Sequence, residues 1–127
     1  MLRSIAAVLV GFLLTVVLAF GVEFALITLF HREPVNDSNR EPIMLLILIV
    51  TTSSCAAVGA YAAGMVVGTR PQAHALVLGV LLLLGDLGLA LTYWRNEPVW
   101  YHVGVLALLV PAAAVGGWMC ARQQAVA

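Results

Sequence analysis

The stretch Glu23–Pro34, EFALITLFHREP, places one acidic residue inside an apolar run that ends at a charged cluster and a proline. A second stretch, Asp86–Pro98, DLGLALTYWRNEP, has the same design. Each acid precedes an arginine by the same distance, since 32 − 23 = 9 for Arg32 and 95 − 86 = 9 for Arg95. This pattern indicates long apolar helices that end at short polar connections.

Beyond these two stretches, apolar runs account for most of the 127 residues. With 63% hydrophobic residues, 9% charged residues and a mean hydropathy of +1.06, the chain has too little polar surface for a water-soluble domain. Each run reaches the roughly 20 residues that cross a hydrocarbon core, where backbone groups must bond within their own segment. We therefore predict an all-α integral membrane protein, a single transmembrane domain over 1–127 with four transmembrane helices. The predicted spans are 5–30, 43–68, 73–94 and 99–121.

The similarity between the two stretches predicts an internal repeat, with one helical hairpin over 1–69 and another over 70–127. Each half contains two spans, so both halves start on the same side of the membrane. A pseudo-two-fold axis along the membrane normal would then relate the two tandem hairpins. Chance spacing of two acids in apolar runs is the alternative.

The orientation of the chain is only weakly encoded, because the positive charges divide evenly between the two sides. The N-terminal amine adds one charge to the side of the termini. We predict a multi-pass protein of a bacterial cell inner membrane with both termini in the cytoplasm, and dual topology is the alternative. The arginines on the side of the termini are Arg3, Arg70 and Arg122, and those on the other side are Arg32, Arg40 and Arg95.

Glu23 and Asp86 are the acids within the predicted spans. A carboxylate deep in the bilayer costs about 2.5 to 3.5 kcal/mol, so some compensation is expected. One possibility is a neutral carboxyl that forms a structural hydrogen bond or contacts a partner protein, and another is a polar path for protons or cations. The candidate hydroxyl partners on the second span are Thr51, Thr52, Ser53 and Ser54.

Small residues recur every four positions along the second span and again near the end of the fourth. Such positions let another helix backbone approach closely. We interpret them as a helix-packing seam, with residues Ala56, Ala60, Gly64 and Gly68 on the second span and Gly116 and Gly117 on the fourth. This seam is expected to supply the contact face for a partner subunit or a second copy of the chain.

The chemistry of a metal or catalytic site is weakly represented. His31 and His102 lie toward the same side and would need Glu33 or Glu97 to complete a zinc site, but their spacing is not diagnostic. We predict no metal, no cofactor and no catalytic set of nucleophile, base and orienting group. The formal net charge of zero also argues against nucleic-acid binding.

Two functions remain after these exclusions. The first is a small non-enzymatic membrane protein that acts through helix–helix packing, as an accessory or assembly subunit of a membrane complex or as a homo-oligomer. Its partners would be the lipid bilayer and either other membrane protein subunits or further copies of itself. The alternative is a proton- or cation-coupled minimal transporter or channel that uses Glu23 and Asp86.

Overall fold

The structure, a computed structural model, describes residues 1–30 and 42–127, and of Phe30 it describes the backbone only. Each of its four α-helices is long and apolar enough to cross a membrane, and the described residues contain no strand. The prediction of an all-α protein with four candidate membrane spans is therefore confirmed. The helices are α1 Leu2–Phe30, α2 Pro42–Val67, α3 Pro71–Thr92 and α4 Val99–Val126.

Prolines and one left-handed turn set several helix boundaries. Pro42 and Pro71 are the first residues of α2 and α3, where the missing N–H of proline costs nothing. Gly68 lies just beyond α2 with φ 69°, and its N–H donates to the Gly64 carbonyl at 3.1 Å. α4 continues through Pro111 as a single helix.

The helices form a bundle in which α2 and α3 touch each other and both contact α1 and α4. Among the described residues, α1 and α4 do not contact one another. The Arg3 side chain donates from Nε to the Val66 carbonyl at 3.1 Å, and Gln124 Nε2 donates to the Gly64 carbonyl at 3.3 Å. The start of α1, the end of α2 and the end of α4 therefore meet on one side of the bundle.

The contacts depart from an exact exchange of the predicted hairpins. That exchange would pair α1 with α3 and α2 with α4, so contact between α2 and α3 would be matched by contact between α1 and α4. Only the first of these contacts is found within the described residues. The tandem repeat over 1–69 and 70–127 stays a prediction.

Two halves of the bundle differ in how they are filled. We call residues 1–15, 55–81 and 113–127 the terminal half, and the described residues 16–30, 42–54 and 82–112 the opposite half. From Val16 to Leu29 no residue of α1 is buried, whereas Ala7, Gly11 and Thr15 are. The hydrophobic core runs through both halves and consists of Ile49, Ala56, Ala60, Ala63, Ala75, Leu78, Leu82, Val105, Leu109 and Ala113.

Candidate functional site

Glycines bring the helices of the terminal half into close contact. A methyl group added to Gly11 would lie 2.7 Å from the Gly59 carbonyl oxygen and 2.9 Å from Leu78 Cδ2. A methyl group added to Gly116 would overlap the backbone of Ala57. Because membrane helices associate through van der Waals packing, the absence of these side chains is what lets α1, α2, α3 and α4 meet here.

The predicted helix-packing seam lies mostly inside this half of the bundle. Ala56, Ala60 and Gly64 are buried, and a methyl group on Gly64 would meet Cys120 Sγ at 2.8 Å and Pro71 Cβ at 2.9 Å. Gly68 is exposed beyond the end of α2, so it lies outside the seam.

The α4 residues of the seam are used in the same way. Gly116 packs on the Ala57 backbone and Gly117 on the Ala75 side chain, and both glycines are buried. The seam therefore joins α2, α3 and α4 of one chain and is not an exposed contact surface.

A second small-residue face on α1 was not predicted from the sequence. Ala7, Gly11 and Thr15 repeat every four residues, and all three are buried against α2 and α3. The Thr15 hydroxyl lies 2.8 Å from the Gly11 carbonyl oxygen and 3.5 Å from that of Cys55, and it occupies the space above Gly59. The signal was the spacing of four, which is the same as in the predicted seam.

The opposite half contains glycines with unfilled surroundings. Methyl groups on Gly21, Gly85 and Gly88 would meet nothing within 4 Å. Gly104 differs, because a methyl group there would lie 3.0 Å from Ile49 Cδ1 on α2. The outer faces of α1 and α3 in this half are therefore open to lipid or to another helix.

Glu23 and Asp86 both lie in the opposite half of the bundle, and each side chain is partly buried. Glu23 follows Gly11 by 12 residues (23 − 11) and Asp86 follows Leu78 by 8 (86 − 78), and Gly11 and Leu78 are neighbours across α1 and α3. At about 1.5 Å per residue, the acids lie about 18 and 12 Å beyond that contact. The two helices thus carry their acids at comparable but unequal depths.

The hydroxyls predicted as partners of these acids are used within their own helix. Thr51 donates to the Ile47 carbonyl at 2.9 Å. Ser53 donates to Ile49 and Ser54 to Val50, each at 2.7 Å. A hydroxyl has one proton to donate, so these three are already committed to carbonyls one turn back. Thr52 is half-buried on the same stretch.

His102, on the first turn of α4, is buried with 3% of its surface exposed. Its imidazole stacks on the Trp94 indole, with ring centroids 5.3 Å apart and planes 11° apart, and the Tyr101 ring meets it edge-on at 5.7 Å. A lone histidine near a membrane interface gave no signal for this burial. Trp94, which lies in the link between α3 and α4, contributes to the burial of His102 by stacking on its ring.

One acid lies beside this imidazole. His102 Nδ1 is 4.0 Å from Glu97 Oε2. His102 Nε2 has no hydrogen-bond partner, and it is the one buried side-chain nitrogen or oxygen among the described residues in that state. The 4.0 Å separation is within ion-pair range but beyond hydrogen-bond distance.

Carboxylates and an imidazole are possible metal ligands, but they are not grouped as a metal site in the part of the chain that the structure describes. Within 1–30 and 42–127, no group of three or more His, Cys, Asp or Glu side chains is placed to hold one. His31 and Glu33, which were considered as zinc ligands with His102, lie outside the described residues. Arg32 and Arg40 lie outside them as well.

Comparison of the chain with known proteins gives no family assignment. No protein-family model, no curated protein and no solved structure matches it.

Proposed function

We propose that this chain is a small, non-enzymatic integral membrane protein that acts through helix–helix contacts as an accessory or assembly subunit of a larger membrane complex. The observation that carries the proposal is the unfilled space at Gly21, Gly85 and Gly88. Outward-facing small residues let a second transmembrane helix approach the backbone closely. The partner would pack on the opposite half of α1 and α3.

The depth of the acids supports the same surface. Asp86 lies between Gly85 and Gly88, and both acids are half-buried. A carboxyl group in hydrocarbon gains from a hydrogen-bond donor on a neighbouring helix. The proposed partner is therefore a transmembrane helix of another protein that carries a polar donor near the level of Asp86.

The seam contributes to this function indirectly. The seam residues hold the chain's own helices together, and they thereby position the helix surface on which a partner would pack. These residues are Ala56, Ala60, Gly64, Gly116 and Gly117. A bulky residue at Gly64 would disturb the protein itself before it disturbed any assembly.

The test is affinity purification of the native protein in mild detergent, with mass spectrometry of whatever co-purifies. We expect a stoichiometric membrane protein that is lost from the double variant Gly85→Leu and Gly88→Leu. The control is Ala73→Leu, which adds similar bulk at an exposed position of α3 in the terminal half and should retain the partner. Retention of the partner by the double variant contradicts the proposal.

Self-association is a separate outcome of the same experiment. If wild-type protein elutes as a homo-oligomer that the double variant reduces to monomers, the surface binds a second copy of the chain. If wild-type protein is a monomer with no co-purifying subunit, the assembly function is wrong.

A second candidate function is a proton- or cation-coupled transporter or channel that uses Glu23 and Asp86. The position of both acids within membrane-length helices favours it, because intramembrane carboxyl groups occur on proton paths. Four helices enclose little lumen, so this function needs several copies or a partner. Proteoliposomes with an internal pH dye would test it, and the double variant Glu23→Gln and Asp86→Asn should abolish any flux.

Placement in the membrane belongs to the same proposal. We place the protein in a bacterial inner membrane with both termini in the cytoplasm, supported by the N-terminal amine, because the six arginines divide equally between the two sides. A green fluorescent protein fused after Ala127 should be fluorescent, whereas a periplasmic alkaline phosphatase fusion there should be inactive. Activity of both fusions would indicate dual topology.

A further inference from the structure

The formal side-chain charges of the chain divide between the two ends of the bundle. All six acids lie in 16–54 or 82–112, together with three of the six arginines, so this part of the chain carries −3 (3 − 6). The terminal half has no acidic side chain and carries +3, from Arg3, Arg70 and Arg122. The net charge of zero is therefore the sum of two ends of opposite sign.

The positive charge of the terminal half is not neutralised within the protein. All three of its arginines are exposed, and within residues 1–30 and 42–127 none of them forms an ion pair. The Arg122 guanidinium lies over the indole of exposed Trp118, 5.2 Å from the ring centroid. Because exposed indole rings in membrane proteins mark the headgroup region, this arginine lies at the depth of the lipid headgroups.

The fold brings the other two arginines together. Arg3 Nε donates to the Val66 carbonyl at 3.1 Å, and Arg3 Nη2 lies 3.9 Å from the position of a methyl group added to Gly68. Arg70 follows Gly68 by two residues, so the Cα atoms of these two residues are at most about 7.6 Å apart. The arginine at the start of α1 and the arginine of the turn between α2 and α3 are therefore neighbours, although 67 residues separate them (70 − 3).

The chemistry of this pair restricts what it binds. A guanidinium has five N–H donors and no acceptor, and Val66 takes only the Nε donor of Arg3. Two neighbouring guanidinium groups with free donors match an anion that has several acceptor oxygens, and their planar forks suit a phosphate. Arg3 and Arg70 lie at the ends of membrane-length helices, which is where phospholipid phosphates are found.

We propose that Arg3 and Arg70 bind the phosphate of an anionic phospholipid of the phosphatidylglycerol type. The +3 charge of the terminal half selects an anionic headgroup over a zwitterionic one. The inference goes beyond the proposed assembly function and does not depend on it, because it concerns a lipid at the other end of the bundle.

Native mass spectrometry of the detergent-solubilised protein tests this proposal. The protein is mixed with equal amounts of dioleoyl phosphatidylglycerol and dioleoyl phosphatidylethanolamine, which have the same acyl chains and phosphodiester but differ in net charge and in mass. Each arginine near an anionic headgroup contributes about fivefold, so the glycerol lipid should give about five times the adduct of the ethanolamine lipid or more. Equal adducts would overturn the proposal.

Arg70→Gln is the main variant, because it removes one charge and no hydrogen bond between helices. It should lower the excess of the glycerol lipid about fivefold, and Arg3→Gln should act in the same direction. The control is Arg95→Gln, which removes the same charge from an exposed position in the link between α3 and α4 and should keep the excess.

Two results with these variants would show that the pair is not the site. One is an Arg70→Gln protein that is folded by circular dichroism and still prefers the glycerol lipid as strongly as wild type. The other is an equal loss of preference in Arg95→Gln, which would mean that the lipid responds to net charge alone.

Competition with inorganic phosphate tests whether the ligand is a lipid. Phosphate at millimolar concentration should leave the glycerol lipid bound, because the acyl chains also contact the apolar helices. Displacement of the lipid, with a phosphate adduct that Arg70→Gln loses, would assign the pair to a soluble anion and overturn the lipid proposal. Absence of any lipid adduct from wild-type protein also contradicts it.

Discussion

The terminal half of the bundle contains 21 glycines and alanines and the opposite half nine, and the two halves use their glycines differently. In the terminal half Gly11, Gly59 and Gly116 lie against backbone atoms of a neighbouring helix. In the opposite half Gly21 and Gly88 face open space. The same residue type therefore closes one end of the molecule and leaves the other end available, and the candidate site lies at the available end.

The difference shows why composition alone does not locate a contact surface in a membrane protein. Lipid tails are as apolar as leucine, so no hydrophobic driving force separates a buried helix face from an exposed one. What separates them is whether a partner backbone is close enough to gain dispersion energy from the missing side chain. Predictions about the two halves therefore differ in sign as well as size.

Gly116→Leu should have the largest effect. Its side chain would overlap the Ala57 backbone, and the α2–α4 contact would have to open. We expect the free energy of unfolding, measured by denaturant titration in mixed micelles, to fall by about 3 kcal/mol or more. The matched control is Gly88→Leu, which should leave it within about 0.5 kcal/mol of wild type. Equal losses in both variants would remove the distinction between the halves.

Thr15→Val should have an intermediate effect. It keeps the shape of the side chain but removes the hydroxyl that lies within reach of the Gly11 and Cys55 carbonyls, so the loss should be about 1 kcal/mol. Thr92→Val is the control, since Thr92 is exposed and its hydroxyl donates to its own helix at Gly88. The same titration measures both variants. A larger loss of unfolding free energy for Thr92→Val would contradict the tighter packing of the terminal half.

Gly88→Ala should have the smallest effect and the opposite sign. Alanine restricts the unfolded backbone more than glycine and has room here, so the free energy of unfolding should rise by about 0.5 kcal/mol. Gly79→Ala should instead lower it, because the new methyl would lie 3.0 Å from Ala113 Cβ. Thermal unfolding followed by circular dichroism in detergent distinguishes the two variants. A rise in the free energy of unfolding for Gly79→Ala would show that the terminal half has room for an added methyl group.

Much of the fold was predictable because it depends on local properties. Hydropathy and length define four membrane-length helices, and Pro42 and Pro71 mark the points where two of them begin. The spacing of Ala56, Ala60 and Gly64 also predicted a packed face. From the sequence that face was expected to meet a partner, whereas it packs against the chain's own helices, and both cases need the same small residues.

The candidate site was less predictable because it is tertiary. Glu23 and Asp86 stand out as acids in apolar runs, but the sequence does not show that the bundle leaves both of them half-buried. His102 is buried beside Trp94 and Tyr101, and Trp94 stacks on it from the link between the helices. Hydroxyls on α2 satisfied their hydrogen bonds within the helix, which a sequence pattern does not distinguish from bonding to an acid.

The three-residue turn from Gly68 to Arg70 also constrains how the chain enters the membrane. Two of its residues are left-handed, with φ 69° at Gly68 and 46° at Arg70, and for arginine this conformation costs about 1 kcal/mol. So short a turn gives α3 no freedom to choose its direction once α2 has entered the bilayer. The short turn makes α2 and α3 one antiparallel unit, although they belong to different predicted repeats.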